Sequence, residues 1–245
     1  MTWFDTGADA YAQFRPTYPP EVAGIIAGLA PDREVAVDIG CGSGQFTSLL
    51  ASEFARVIGV DSSAAQLDGA KGAPNVAYVA GSAEEVRCGD GVASLVTVAQ
   101  AAHWFDLPAF YSEARRIARQ GAVLALLTYG PAQLEDSLAP CFEQFYRDGI
   151  RRYWPPERIH VDNGYADLYF PFDRIEVTVP SIGKDWTLDE FIGYLGTWSA
   201  ARRARDAGES GLLDDLRSQL EPEWGAGKRR VEFALTVLAG RLDDR

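Results

Sequence analysis

Three glycines within five residues, Gly40, Gly42 and Gly44, separate an apolar run, Val35–Ile39, from a stretch in which Phe46, Leu49, Leu50 and Phe54 fall on one helical face. A strand, a glycine turn and a helix in direct succession leave few folds open, because the turn must bring a strand end and a helix start together at one edge of a sheet. Glycine lets the backbone turn tightly and approach a ligand closely. The helix that follows presents free N–H groups and the positive end of its dipole, so a ligand with polar or negative groups is expected there. A dinucleotide fingerprint would place glycine at position 45; Gln45 stands there, which makes a dinucleotide the weaker expectation.

The same rhythm continues toward residue 129. Val57–Val60, Val76–Val79, Leu95–Val98 and Ala122–Leu127 are short apolar runs that read as strands. Between the last two, Leu107, Phe110, Ala114 and Ile117 recur at helical spacing, with Arg115, Arg116 and Arg119 toward the C-terminal end, where cations are favoured. The alternation predicts repeated βαβ units around a parallel sheet. Asp61 closes the second run 21 positions after Gly40, where a carboxylate can accept both hydroxyls of a ribose.

Beyond residue 130 the alternation breaks. Leu134, Leu138, Phe142 and Phe145 predict a helix, and Trp154-Pro155-Pro156 predicts a loop after it, since proline cannot continue a helix. Arg174–Val179 reads as a strand, and Thr187-Leu188-Asp189-Glu190 is a capping box that opens a further helical region. Val231–Leu238 reads as a final strand, although its spacing suits a helix as well. The expected organisation is one domain in four stretches: an N-terminal covering segment (1–34), a cofactor-binding core (35–130), a helical substrate lid with one strand (131–230), and a final strand and tail (231–245). Helices inserted beside the carboxyl ends of parallel strands make a natural lid, because ligands bind in the crevice there.

Composition narrows the partners. With 245 residues, 47% of them hydrophobic and 24% charged, the chain is long enough for one sizeable core. Its net charge of -12 repels nucleic acid and anionic lipid, which leaves a small-molecule acceptor as the expected partner. Met1–Ala10 holds acidic and aromatic residues where a targeting segment would hold basic and apolar ones, and no apolar stretch is long enough to span a bilayer, so a cytoplasmic protein is expected. A monomer or homodimer is the expected state. Cys41, Cys88 and Cys141 are odd in number and widely spaced, and His103 and His160 are the only histidines, so neither a disulfide framework nor a metal site is expected.

At the glycine turn and Asp61 the chain resembles the class I S-adenosylmethionine-dependent methyltransferases. The resemblance implies an α/β fold: a Rossmann-like, seven-stranded, mostly parallel sheet with helices on both faces and a helical lid inserted in the C-terminal half. It also implies S-adenosylmethionine as cofactor. Gly40, Cys41, Gly42 and Gly44 would border its methionine part, with Asp38 orienting the turn; Asp61 would take the ribose hydroxyls, Ser62 would lie near the adenine, and Gln45 and Gln66 are further cofactor-binding candidates. Ala80-Gly81-Ser82-Ala83-Glu84 looks like the family's third-strand segment, where a polar side chain and the next backbone N–H read the adenine edge. Here Ser82 stands in place of the usual aspartate and reaches less far, while Ala83 keeps the N–H and Glu84 follows.

Two further stretches, Tyr11-Ala12-Gln13-Phe14-Arg15-Pro16-Thr17-Tyr18-Pro19 and Ala99-Gln100-Ala101-Ala102-His103-Trp104-Phe105, narrow the resemblance to the trans-aconitate methyltransferase-like (methyltransferase type 11) group. Thr197-Trp198-Ser199-Ala200 extends it over nearly the whole chain apart from residues 130–170. In that group the N-terminal segment folds over the cofactor and the stretch after the fourth strand borders the methyl group. Tyr11, Arg15, Tyr18, Ala99 and Gln100 are therefore cofactor candidates, His103 the catalytic candidate, and Trp104, Tyr129, Trp198 and Arg202 the substrate candidates.

Methyl transfer from a sulfonium is a direct displacement, so the protein mainly aligns the nucleophile and dries the site. A carboxylate nucleophile is ionised at pH 7 and needs no base, whereas a hydroxyl or ammonium needs one, and only then does His103 matter. The expected reaction is O-methylation of a small carboxylate or of a secondary metabolite. Ser82 and the lack of an obvious base keep a non-catalytic cofactor-binding or interaction protein open, as they do a fold relative that uses the bound sulfonium in a non-methylating reaction.

Overall fold

The first strand is buried from Ala36 to Ile39, as a parallel strand covered by helices on both sides must be. In the computed structural model, which describes residues 15–70 and 72–242, the strands run in chain order as β1 (Val35–Ile39), β2 (Arg56–Asp61), β3 (Val76–Ala80), β4 (Ala93–Ala99), β5 (Ala118–Tyr129), β6 (Arg174–Ile175), β7 (Ile182–Trp186), β8 (Arg229–Phe233) and β9 (Leu235–Arg241). Seven of them form one sheet in the order β3-β2-β1-β4-β5-β9-β6, parallel from β3 to β5 and antiparallel where β9 meets β5 and β6. The order reverses between β1 and β4, which opens a crevice at the carboxyl ends of those two strands.

Helices α1 (Pro20–Ala27), α2 (Gln45–Leu50), α3 (Ala64–Asp68) and α4 (Leu107–Ile117) flank the parallel part. Successive residues of β5 feed two cores: Val123, Ala125 and Leu127 join Val22, Ile26, Phe46 and Leu50 on one side, while Ala122, Leu124 and Leu126 join Phe110, Ile117 and Tyr165 on the other. Arg115 and Arg116 occupy the last turn of α4, but Arg119 lies beyond it in β5 and pairs with Asp32 at 2.8 Å.

Between β5 and β8 the chain returns to the sheet only for the short edge strand β6 and otherwise builds a helical region from α5 (Ala139–Gln144), α6 (Arg158–Asp162), α7 (Leu188–Gly196), α8 (Ser199–Asp206) and α9 (Leu212–Trp224). The helix expected from Leu134 starts only at Ala139 and then widens into a π-helical turn over Phe145–Gly149. The capping box forms as read: Thr187 Oγ1 accepts from the Glu190 N–H at 3.2 Å, and Glu190 Oε2 accepts from the Thr187 N–H at 2.8 Å.

Two strand expectations change. Of Arg174–Val179 only Arg174 and Ile175 pair, because this is the outer strand and β9 is its sole neighbour. Val231–Leu238 is two strands: β8 runs antiparallel to β7 in a separate ribbon, and the chain changes partner at Ala234 before β9 enters the main sheet beside β5. Among the described residues no helix is long and apolar enough to cross a membrane.

Candidate functional site

The glycine turn takes the shape its composition allows. Gly40, Gly42 and Gly44 have φ of +68°, +54° and +82°, a region that costs other residues about 1–2 kcal/mol each. The Gly40 and Cys41 N–H groups both donate to the Val60 carbonyl, at 2.8 and 3.0 Å, which ties the turn to the end of β2. A Cβ on Gly40 would stand 2.6 Å from Ala101 Cβ, so the stretch after β4 closes directly over the turn.

Asp61 holds the turn from the other side. Its Oδ2 accepts from the Gly42 N–H at 2.8 Å and its Oδ1 from the Ser63 N–H at 2.8 Å, leaving each oxygen a lone pair for a ligand. Asp38 is fully buried, with Oδ2 accepting from Thr47 at 2.6 Å and Oδ1 from Thr97 at 2.8 Å. Burial pushes its carboxyl up to about 6 against the pull of the two threonine hydrogen bonds, with the Asp61 charge adding to the rise. Asp38 thus straps β1 to α2 and β4 from beneath the turn.

Gln100, at the end of β4, is a non-glycine residue with φ of +59°. Its Oε1 accepts from Thr128 Oγ1 at 2.6 Å and from the Tyr129 N–H at 3.2 Å, and its Nε2 donates to the Tyr129 carbonyl at 3.2 Å. The strained backbone lets one amide side chain pin the ends of β4 and β5 together.

These elements enclose a cleft that is partly open to solvent. Of the residues expected at the cofactor, Tyr18, Gly40, Cys41, Gly42, Gln45, Asp61, Ser62, Gln66, Ala83, Ala99 and Gln100 line it, and so do two expected at the substrate, Trp104 and Tyr129. Ser43, Phe46, Gly81, Ala101 and Phe105 complete the lining. All five lie inside the motifs quoted above, but small or apolar residues carry no chemical mark that would single them out.

Other expected residues lie elsewhere. Tyr11 is outside the described residues. Gly44 is buried against the Tyr78 ring, and Asp38 is the buried strap just described, so both shape the turn from beneath. Ser82 is exposed and bridges to Glu85, off the lining, while Glu84 accepts from the Asp106 N–H at 3.1 Å and thereby holds the start of α4. Arg15 sits with its guanidinium carbon 5.9 Å from the Tyr194 ring centroid, on the lid side.

His103 Nδ1 lies 2.9 Å from the hydroxyl of Tyr165, itself at φ of +61°. Burial drives the imidazole down to about 3, and the charges of Arg158 and His160 reinforce that shift. Trp198 is 1% exposed and packs into a lid cluster with Trp154, Tyr194 and Tyr146, at ring separations of 5.1, 5.6 and 5.8 Å. It supports the lid from inside instead of facing the cleft. Arg202 is the fourth residue of α8, off the cleft lining, with its N–H donating to the Trp198 carbonyl at 3.2 Å.

The cleft therefore offers a carboxylate at the end of β2, backbone groups at a glycine turn, and apolar walls at Phe46, Phe105 and Trp104. Such a set fits a ligand that carries a ribose diol, a flat base and a charged chain. A family model for the methyltransferase domain matches residues 37–126. A protein of Dictyostelium discoideum assigned as a methyltransferase is 35% identical over 89% of this chain and 84% of its own length. The trans-aconitate 2-methyltransferase of Deinococcus radiodurans is 36% identical over 96% of both chains. A solved structure assigned as a type II methyltransferase of Anaeromyxobacter dehalogenans superposes with a TM-score of 0.88 at 39% identity, covering 95% of this chain and 100% of that one. The chain belongs to the methyltransferase-domain family and is a Rossmann-like class I S-adenosylmethionine-dependent methyltransferase.

Proposed function

We propose that this enzyme methylates an oxygen of a small carboxylic acid. When bound, S-adenosylmethionine supplies a methyl group made electrophilic by its sulfonium. Asp61 would hold the ribose hydroxyls while keeping the turn in place through Gly42 and Ser63. The Ala83 N–H would meet the adenine edge, since Ala83 and not Ser82 faces the cleft. Gly40, Gly42 and Gln100 would border the methionine part, and Trp104 and Tyr129 the side from which an acceptor approaches.

The state of His103 carries the choice of acceptor. An imidazole held neutral down to about pH 3 and engaged with Tyr165 is a poor base for a hydroxyl or an ammonium, whereas a carboxylate is already ionised at neutral pH. The relative from Deinococcus radiodurans is named for such an acceptor, and that supports the same class here.

Titration with S-adenosylmethionine and S-adenosylhomocysteine by calorimetry, followed by an acceptor screen beginning with di- and tricarboxylic acids, tests the proposal. Both cofactor forms are expected to bind, and a carboxylic acid is expected to gain a methyl ester. Asp61→Ala removes an acceptor for two hydrogen bonds and should weaken S-adenosylhomocysteine binding by about 2 kcal/mol, about 30-fold. Unchanged affinity would remove Asp61 from the cofactor site, and methyl transfer only to non-acidic acceptors would overturn the carboxylate reading.

A further inference from the structure

Residues 130–170 match the family's recognisable motifs least, yet they bring an arginine behind the cleft wall. Arg158 opens α6, a short helix packed against the turn that carries His103 and Trp104. Its side chain is only 16% exposed, and a guanidinium sheltered to that degree needs partners for its charge and its donors. Its partners engage one flat face and Nε. The flat face lies over Trp154, with the guanidinium carbon 4.4 Å from the ring centroid. Nε donates to Asp162 Oδ1 at 2.8 Å and to the Tyr146 hydroxyl at 3.1 Å.

What is left is the outer edge. Among the described residues neither terminal nitrogen of Arg158 has a hydrogen-bond partner, although this pair of parallel donors is the part of the side chain that binds a carboxylate through two hydrogen bonds. Asp162 cannot serve there, because its contact with the guanidinium is through Nε. The guanidinium lies behind the part of the cleft wall that Trp104 forms. The Arg158 charge helps depress His103, whose ring is 4.8 Å from Trp104 in the cleft wall, and it also acts on Tyr165 and Tyr194. Arg15 approaches Tyr194 as well, so two guanidinium groups act on one tyrosine where the lid meets the cleft. In a chain of net charge -12, positive groups gathered at this one wall are placed to attract an anion.

We infer that Arg158 is the residue that anchors an acceptor carboxylate, with Asp162 and Tyr146 fixing its Nε and Trp154 fixing its plane so that both terminal nitrogens face the acceptor. The inference rests on the carboxylate reading of the acceptor and adds to it the binding residue. No charge is transferred and no bond is made at Arg158; it selects for an ionised group and sets the register of the acceptor against the methyl donor.

The test uses the full chain saturated with S-adenosylhomocysteine, so that no transfer occurs, titrated with trans-aconitate, citrate and glutarate, and with trimethyl citrate as a neutral comparison. The native enzyme should bind at least one of the acids more tightly than the ester. Arg158→Gln should weaken that binding by about tenfold or more while leaving S-adenosylhomocysteine affinity within about twofold, and Arg158→Lys, which keeps the charge and loses the planar fork, should fall between them. A loss confined to the acid, seen in turnover as a raised KM, is not what loosening of the lid would produce. Unchanged acid affinity in an Arg158→Gln enzyme that binds S-adenosylhomocysteine normally overturns the anchor and leaves the proposed reaction standing. A native enzyme that binds S-adenosylhomocysteine and none of the acids overturns the carboxylate reading, and the anchor with it. If Arg158→Gln loses the fold, Arg158→Lys decides: a loss of about threefold or more upholds the anchor, and native affinity overturns it.

Discussion

The two halves of this enzyme are built by different means. In residues 35–130 the backbone itself is the instrument: glycines at positive φ, one carboxylate bonded to two N–H groups, and one strained glutamine hold the ends of β1, β2, β4 and β5 in register. In residues 131–230 side chains do the holding. Phe142, Tyr146, Trp154, Trp186, Phe191, Tyr194, Trp198 and Trp224, with Phe233 just beyond, form a continuous set of ring contacts that ties α5, α7, α9, the N-cap of α8, a π-turn and a two-stranded ribbon into one body. A cofactor that is the same throughout a family suits a rigid backbone cradle. An acceptor that differs between members suits a wall of side chains, because rings and charges can be exchanged without redrawing the sheet.

If that division is real, damage should stay in the half where it is done. The largest effect is expected at Trp198, buried to 1% at the centre of the lid cluster. Trp198→Ala should lower global stability by about 3–5 kcal/mol, the usual loss for a large aromatic removed from a packed core. Urea unfolding measures that loss, and calorimetry at a temperature where the variant is folded should return near-native affinity for S-adenosylhomocysteine. A cofactor affinity that falls in step with stability would break the comparison and make the lid part of the cofactor site.

Gly40→Ala probes the other half. The new Cβ would stand 2.6 Å from Ala101 and 3.1 Å from Phe105, on a residue whose φ is +68°. Left-handed backbone costs about 1–2 kcal/mol for alanine, and overpacking against neighbours adds about 1–3 kcal/mol. The loss should show as stability if the turn keeps its shape, or as cofactor affinity if it moves away, so the two losses measured together should come to about 2–5 kcal/mol. A total below 1 kcal/mol would mean that the turn tolerates a side chain and that the cradle is not a backbone device.

The same division explains what could be read from the sequence. Gly40, Gly42, Gly44 and Asp61 are legible because only those residue types perform those tasks, and the spacing between them is local or one βα unit long. The five parallel strands are legible because each is a short apolar run between polar breaks. The lid is not, because its order arises between segments far apart in sequence. Ile182–Trp186 carries Gly183, Lys184 and Asp185 and shows no strand signal, yet it pairs along its length with Arg229–Phe233. Nothing in Val231–Leu238 announces a change of partner at Ala234, since periodicity reports exposure and not which strand lies alongside. Arg158 was invisible for the same reason: its meaning comes from Trp154, Tyr146 and Asp162 around it and from His103 across the element boundary.

The smallest expected effect sets two buried groups of the first half, His103 and Asp38, against each other. Burial depresses His103 to about 3 from its usual 6.5, so the unfolded chain binds a proton that the folded chain refuses, and stability is lost as pH falls below 6.5. Burial raises Asp38 to about 6 from 3.8, so between those values the folded chain holds the proton more tightly, and stability is gained as pH falls through 6. From pH 6.5 to 5 the first contribution is about 1.5 kcal/mol against folding and the second about 1 kcal/mol in favour. The two nearly cancel in the native protein. His103→Gln should unmask Asp38: compared with the native chain, the variant's unfolding free energy should improve by about 1.5 kcal/mol between pH 6.5 and pH 5, read from paired urea titrations. An unchanged difference across that range would mean that the imidazole titrates normally, and His103 would then be available as a base at neutral pH. The acceptor could in that case be a hydroxyl, and the lid would have to be reread as a site that activates its substrate as well as one that selects it.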